Sequence, residues 1–159
     1  MDGEKLNEKG IILMADTKKS LCSCLYFTVN KLSRIIGKMA EDEFRITGLS
    51  PTYAFVINIV NKNEGICQKK IGEALHMTPS TITRFIDKLE DKGLVTRKCG
   101  GKNCYIYPTE KANSLQVDID KAWNSLHKRC SNILGEEEAK VLTKIIDKAG
   151  IKLEDKEDS

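Results

Sequence analysis

The stretch MTPSTITRFIDKLEDKGLVTRK, Met77 to Lys98, constrains this chain more than any other, because it sets the start, the rotation and the end of one helix. Thr78 offers a hydroxyl to the unpaired backbone N–H groups of a first turn. Pro79 fits the first helical position, where its missing N–H costs nothing. Ile82, Phe85, Ile86 and Leu89 follow at steps of three, one and three, so they fall on one stripe of a helix and that stripe faces a core. Ser80, Thr81, Thr83, Arg84, Asp87 and Lys88 occupy the other side. Gly93, tolerant of positive φ, is placed to end the helix.

Composition limits what can surround that helix. A chain of 159 residues, 40% hydrophobic, can bury one good core or serve as one protomer of an assembly. The net charge of +3, with 31% of residues charged and the signs mixed, implies no global polyelectrolyte partner, so any nucleic-acid contact must rest on a local patch. The early apolar run Ile11–Ala15 is too short for a signal-peptide core or a membrane span, and the expected location is the cytoplasm. Six cysteines at irregular spacings read as reduced thiols rather than a disulfide framework.

Upstream, residues 16–44 carry one long helical pattern through Leu25, Val29, Leu32, Ile36 and Met39, broken at Gly48. Ser50-Pro51 repeats the cap-then-proline signal for a helix through Tyr53, Val56, Ile57 and Val60 that ends near Asn63-Glu64-Gly65. A short helix over residues 68–75 packs through Ile71 and Leu75. Beyond the central helix, Leu94–Cys99 and Cys104–Tyr107 are strand-like runs joined by Gly100-Gly101-Lys102-Asn103, which predicts a β-hairpin. From Thr109 a helical pattern returns. Ala112, Leu115, Ile119, Ala122, Leu126, Cys130 and Ile133 form a seam of the kind that packs on another helix. Leu134-Gly135 breaks it, a last helix spans residues 136–149 through Leu142 and Ile145, and residues 152–159 are expected to fray.

Two short helices, the second with a polar face, followed at once by a basic hairpin, make a winged helix-turn-helix arrangement. The expected fold class is mostly α with a small β-hairpin wing, a winged helix-turn-helix core flanked by terminal helices. The boundaries fall at 1–48 for the arm and first long helix, 49–108 for the winged lobe, and 109–159 for the C-terminal helices, and the family resemblance drawn from the motifs below makes those flanking helices the dimerisation helices. A DNA major groove admits such a helix and offers donors and acceptors to hydroxyls and Arg, while Arg97, Lys98 and Lys102 on the hairpin would meet phosphate or minor groove.

These residues resemble the MarR/SlyA family of multiple-antibiotic-resistance regulators, over about residues 21–149. The resemblance is most specific in GICQKKIGEALHMTPSTITRFIDKLEDKGLVTRK and YPTEKA, with Gly48-Leu49-Ser50-Pro51 fitting the entrance of the second helix. It implies a dimeric transcriptional regulator, a repressor by family habit, bound to double-stranded DNA at a pseudo-palindromic operator. It also implies a small aromatic or lipophilic effector held between the dimerisation helices and the DNA-binding lobe. The expected DNA contacts are Ser80, Thr81, Thr83, Arg84, Lys88, Arg97, Lys98 and Lys102, and the expected dimer seam is Leu115, Ile119, Ala122, Leu126, Leu142 and Ile145. Two departures stand out. The wing loop lacks the family's Asp-x-Arg element, and Cys67 stands where relatives cap the third helix with Ser or Thr, for which a thiol is a poor substitute.

Other chemistry is sparse. Cys22 and Cys24, two apart on a helix, point to different faces and cannot share a metal by themselves. His76 and His127 have no partner at ligand spacing, and Trp123 with Leu126 reads as packing. No Ser/His/Asp set, paired carboxylates or phosphate-cradling loop is visible, so neither catalysis, a metal nor a cofactor is expected. Cys99 and Cys104 bracket the wing tip and would face each other across a regular hairpin, which leaves a thiol-based redox sensor as one alternative. A protein-binding winged helix without an operator is the other.

Overall fold

The computed structural model describes residues 17–101 and 103–157, and statements of absence below refer to those residues. By packing, the chain divides into residues 1–40 and 41–159. The first unit contains helical residues 17–22 and most of helix α1, Leu25–Phe44. The continuous helix expected from residue 16 is thus interrupted at Ser23-Cys24; its first residue lies outside the described chain. Hydroxyl-to-carbonyl bonds lie on both sides of the interruption. Ser23 Oγ donates to the Ser20 carbonyl at 2.7 Å, and Thr28 Oγ1 donates to the Cys24 carbonyl at 3.0 Å.

The second unit continues through a 3-10 turn, Arg45–Thr47, and then α2 (Pro51–Lys62), β1 (Ile66–Cys67), α3 (Gln68–Ala74) and α4 (Pro79–Asp91). Strands β2 (Val95–Gly100) and β3 (Asn103–Pro108) follow, then α5 (Glu110–Leu134) and α6 (Glu136–Glu157). The last helix runs past residue 149, where it was expected to end, and takes in residues 152–157, which were expected to fray; three glutamates at its start face the positive end of the helix dipole. No helix is long and apolar enough to cross a membrane.

Local chemistry accounts for the central elements. Thr78 caps α4 by accepting from the Thr81 N–H, with Pro79 directly behind it. Gly93, at φ +67°, closes the other end: its N–H donates to Glu90 O at 2.8 Å and the Leu94 N–H to Leu89 O at 2.9 Å, the paired bonds of a Schellman turn. Thr109 caps α5 and also donates from Oγ1 to Gly93 O at 2.9 Å, tying the helix start to the end of α4. Cys67, by contrast, gives α3 no side-chain cap.

The sheet has the order β1-β3-β2, antiparallel throughout. Its third strand was not expected. Two residues are too few to show an alternating pattern, yet Ile66 and Cys67 pair with Ile106 and Tyr105 and attach the start of α3 to the hairpin. Ile106, on the central strand, is fully buried with Val56, Ile57, Val60, Ile71, Ile82, Ile86 and Leu89 in one core. Side-chain amides fix α5 on α2. Asn61 Nδ2 donates to Gln116 Oε1 and to the Ala112 carbonyl, and Gln116 Nε2 donates to Asn58 Oδ1, at 2.9 to 3.0 Å. At the far end of α5, Arg129 reaches Glu43 at 3.0 Å and Asp42 at 3.5 Å.

Gly65 and Gly93 both take positive φ, but only Gly65 is crowded: a Cβ there would lie 3.1 Å from the Tyr107 ring, while one on Gly93 would meet open space. Gly93→Ala should therefore cost only the left-handed backbone penalty, about 1–2 kcal/mol, and Gly65→Ala measurably more. Urea unfolding of the two variants checks the order; equal losses would mean that Tyr107 yields freely.

Candidate nucleic-acid interface

Because Ile82, Ile86 and Leu89 are buried, α4 has only one rotation open to it. Phe85 is half-buried against Tyr53, ring centroids 4.5 Å apart, and widens the inward stripe. Ser80, Arg84 and Lys88, spaced by four, then form an exposed stripe along the opposite side. Neither Arg84 nor Lys88 is engaged in an ion pair among the described residues, so both cations are available to a partner. At the helix start Thr78, Ser80 and Thr81 form a hydroxyl cluster, with Thr78 Oγ1 3.2 Å from Ser80 Oγ and 2.9 Å from Thr81 Oγ1. Such a cluster can both donate and accept.

Two expected contact residues have other employment. Thr83 Oγ1 donates to the Pro79 carbonyl and accepts from Gln68 Nε2, each at 2.9 Å, so it pins α3 to α4 instead of facing outward. Arg97 turns back onto α4. Its Nη2 pairs with Asp87 and lies 3.4 Å from Glu90 Oε2, its backbone N–H donates to Glu90 Oε1 at 3.1 Å, and its side chain is only 20% exposed. Arg97 is a clamp between helix and wing. Carboxylates seven and ten residues upstream capture it, a distance at which sequence shows no pairing until the hairpin's position is known.

The wing itself extends from that clamp. Lys98 is exposed, with Nζ 4.6 Å from the centroid of Tyr107. Lys102 lies outside the described residues. Cys99 and Cys104 are cross-strand partners next to the turn, their Cα atoms 4.1 Å apart, and are joined as a disulfide. The expectation of six reduced thiols is corrected for this pair, which the hairpin register places face to face across the turn, as the two strand-like runs implied. Cys22, Cys24, Cys67 and Cys130 are free.

The six residues expected in a dimer seam separate into two groups. Ile119 and Ala122 are each 1% exposed within the chain's own core, so they are not available to a second chain. Leu115 and Leu126 pack half-buried against the same core. The first half of the seam meets α2, whose contact the spacing alone could not distinguish from one with a partner helix. Leu142 is half-buried and Ile145 is 59% exposed, beside exposed Ile133, Val141, Ile151 and Leu153. Trp123, 50% exposed, stands edge-on to Phe55 with centroids 5.0 Å apart, at an open cavity of about 410 Å³ also lined by Asn58, Lys62 and Asp120. His76 adopts φ +49° in the turn between α3 and α4 and lies 3.3 Å from Glu154. No cluster of three metal-ligating side chains exists among the described residues.

Two short helices packed through Gly72, where a Cβ would press on the Met77 carbonyl at 3.2 Å and Ile82 at 3.3 Å, and a hairpin clamped to the second helix define a winged helix-turn-helix protein. Residues 49–99, from the entrance of α2 to the wing, match the MarR family. The chain is similar to the HTH-type transcriptional regulator MhqR of Bacillus subtilis, 26% identical over 138 residues that cover 85% of this chain and 94% of MhqR. Its fold is that of the S. aureus MepR–DNA complex (TM-score 0.72, 17% identity, 82% of this chain and 98% of that one). It is likewise that of CouR from Rhodococcus jostii RHA1 bound to p-coumaroyl-CoA (TM-score 0.66, 22% identity, 81% and 91%). A shorter match, 35% identical over 72 residues, is to a riboflavin kinase of Thermococcus kodakarensis; it takes in 45% of this chain, which spans 34% of that enzyme's length.

The clamp is open to a double-mutant test. Arg97→Gln and Asp87→Asn, singly and together, should show a coupling of about 1 kcal/mol in urea unfolding, weakened by salt because the carboxylates are partly exposed. Additive losses would show that Arg97 does not hold the wing through Asp87.

Proposed function

We propose that this protein is a homodimeric, sequence-specific DNA-binding transcriptional regulator, a repressor relieved by a small-molecule effector. The observation that carries the reading is the outward stripe Ser80, Arg84 and Lys88 on a helix whose other side is locked into the core, with a wing held beside it. Arg84 is suited to bidentate contact with a guanine edge, the Thr78–Ser80–Thr81 cluster to base edges or phosphate at the helix start, and Lys88 and Lys98 to phosphate. Lys102, which follows Gly101 in sequence, belongs with the phosphate contacts. Thr83 and Arg97 position these groups. Binding chemistry is what the residues offer, and no catalytic constellation accompanies it; such a regulator works in the cytoplasm.

The domain division follows from the same reading, with residues 49–108 as the DNA-binding lobe and the flanking helices as the dimer's. Exposed Ile133, Val141, Ile145, Ile151 and Leu153 on α5 and α6 supply apolar surface of the kind that a second copy covers. The open cavity at Trp123, lined also by Asn58, Lys62, Ile119, Asp120 and Asn124, is where we place the effector, and CouR, which has this fold, is bound to p-coumaroyl-CoA.

Selection from a random DNA pool should return an imperfect inverted repeat with half-sites about one turn, ~10 bp, apart. Arg84→Ala should cost about 1–3 kcal/mol and relax preference at particular base pairs, whereas Lys98→Ala should weaken all sequences alike and reduce the salt slope by about 1. Recovery of no motif, or an Arg84→Ala protein with unchanged preference, would sink the reading.

The dimer assignment has its own check. Ile133→Asp with Ile145→Asp should leave the core intact but give a monomer by light scattering, with operator affinity lost. A double variant that stayed dimeric would move the interface elsewhere.

A further inference from the structure

The disulfide at the wing tip joins residues only five apart in sequence. A ring this short removes little disorder from an unfolded chain compared with a long-range crosslink, and the buried core lies elsewhere, so global stability gives it little purpose. Its location suggests a different one. Along β2, alternation places Val95, Arg97 and Cys99 on one side of the sheet, and they pass from buried through half-buried to exposed. Cys99 is the outermost of the three, just beyond the clamp, on an edge strand with no neighbour on its far side. Cys104 sits on the central strand, half-buried, at a cleft of about 530 Å³ also lined by Gln68, Glu73, His76 and Asn103.

The two sulfurs are therefore unequal targets. A thiolate attacks one sulfur of a disulfide and expels the other, and access helps to decide which is attacked. The open edge beyond β2 leads to Cys99; the way to Cys104 passes through the cleft. We propose that the wing tip is a thiol–disulfide exchange site for a small soluble thiol, with Cys99 as the attacked sulfur and Cys104 as the leaving and resolving one, and that its state sets the wing's grip on DNA. In the reductive direction a thiolate RS⁻ bonds to Sγ of Cys99, the Cys99–Cys104 bond breaks, and Cys104 leaves as thiolate and takes up a proton. A second RSH then releases Cys99 as thiol and departs with the first as RSSR. Two RSH are oxidised and one protein disulfide is reduced; excess RSSR runs the steps backward.

The consequence for DNA follows from the turn. While the bond stands, Gly100, Gly101, Lys102 and Asn103 close a covalent ring. Once it is broken, a tip with two adjacent glycines must be ordered at the moment of binding. The disulfide form binds more tightly. This consequence rests on the DNA-binding reading, whereas the exchange chemistry does not.

The test uses the full chain in reduced and oxidised glutathione at varied ratios, acid-quenched, alkylated and mapped by mass. Cleavage after Lys98, Lys102 and Lys111 places Cys99 and Cys104 on separate peptides joined only by the disulfide. The expected result is reversible conversion between linked and separate peptides. Cys104→Ser should also accumulate a glutathione adduct at Cys99 faster than Cys99→Ser does at Cys104. Adducts at exposed Cys22 and Cys24 map to other peptides. A pair that stays linked in excess reduced glutathione, or that reacts first at Cys104, overturns the exchange site. Against the selected operator, the reduced form should bind roughly three- to tenfold more weakly than the oxidised form. The Cys99→Ser, Cys104→Ser protein should match the reduced form in both buffers. Equal affinity of the two redox forms overturns the regulatory half, whereas failure of both to bind any DNA overturns the regulator reading and leaves the mass map to decide the exchange site.

Discussion

The structure is organised by the burial of a single stripe, Ile82, Ile86 and Leu89, against the side chains of α2, α3 and β3. Removing three large aliphatic side chains from water is worth several kcal/mol, enough to dictate how a thirteen-residue helix is rotated. Everything outward follows from that rotation. Ser80, Arg84 and Lys88 are exposed because their side of the helix cannot be buried at the same time. Asp87 and Glu90 flank the same helix at an angle from which they can capture Arg97, and the wing is placed where that capture holds it.

Much of this was legible before any coordinates. Thr78-Pro79 and Gly93 carry their own conformational instructions, and the apolar spacing between them needs no tertiary knowledge. What the residues alone could not reveal depends on contacts across elements. Thr83 and Ser80 are chemically alike, yet one is bound by Gln68 and the other is exposed, a distinction made by the packing of α3. Arg97 reads as a basic wing residue until the hairpin brings it to Asp87. Ile119 and Ala122 read correctly as buried, but periodicity does not say which helix buries them. Strand β1 is too short to carry a pattern, and although the hairpin pattern sets Cys99 opposite Cys104, only their position in the folded strands shows the two joined.

A consequence is that residues of one chemical class divide between contact and support. Of the basic side chains in and beside the helix, Arg84 and Lys88 are free to meet a partner while Arg97 is held by two carboxylates, and of the hydroxyls Thr83 is fully occupied. Support of this kind matters to recognition because contact groups are useful only if held near a productive geometry. The clamp and the Gln68–Thr83 bond hold the same helix from opposite neighbours, wing on one side and α3 on the other.

The three amides Asn58, Gln116 and Asn61 that join α2 to α5 carry no charge in any common buffer. Hydrogen bonds between neutral amides respond weakly to ionic strength and not at all to protonation between mildly acidic and mildly basic conditions, whereas contacts with phosphate weaken steeply as salt rises. The joint between the lobe and its long helix should thus keep its geometry under conditions that release a nucleic acid. A protein built this way can let go of a polyanion without loosening the joint between α2 and α5.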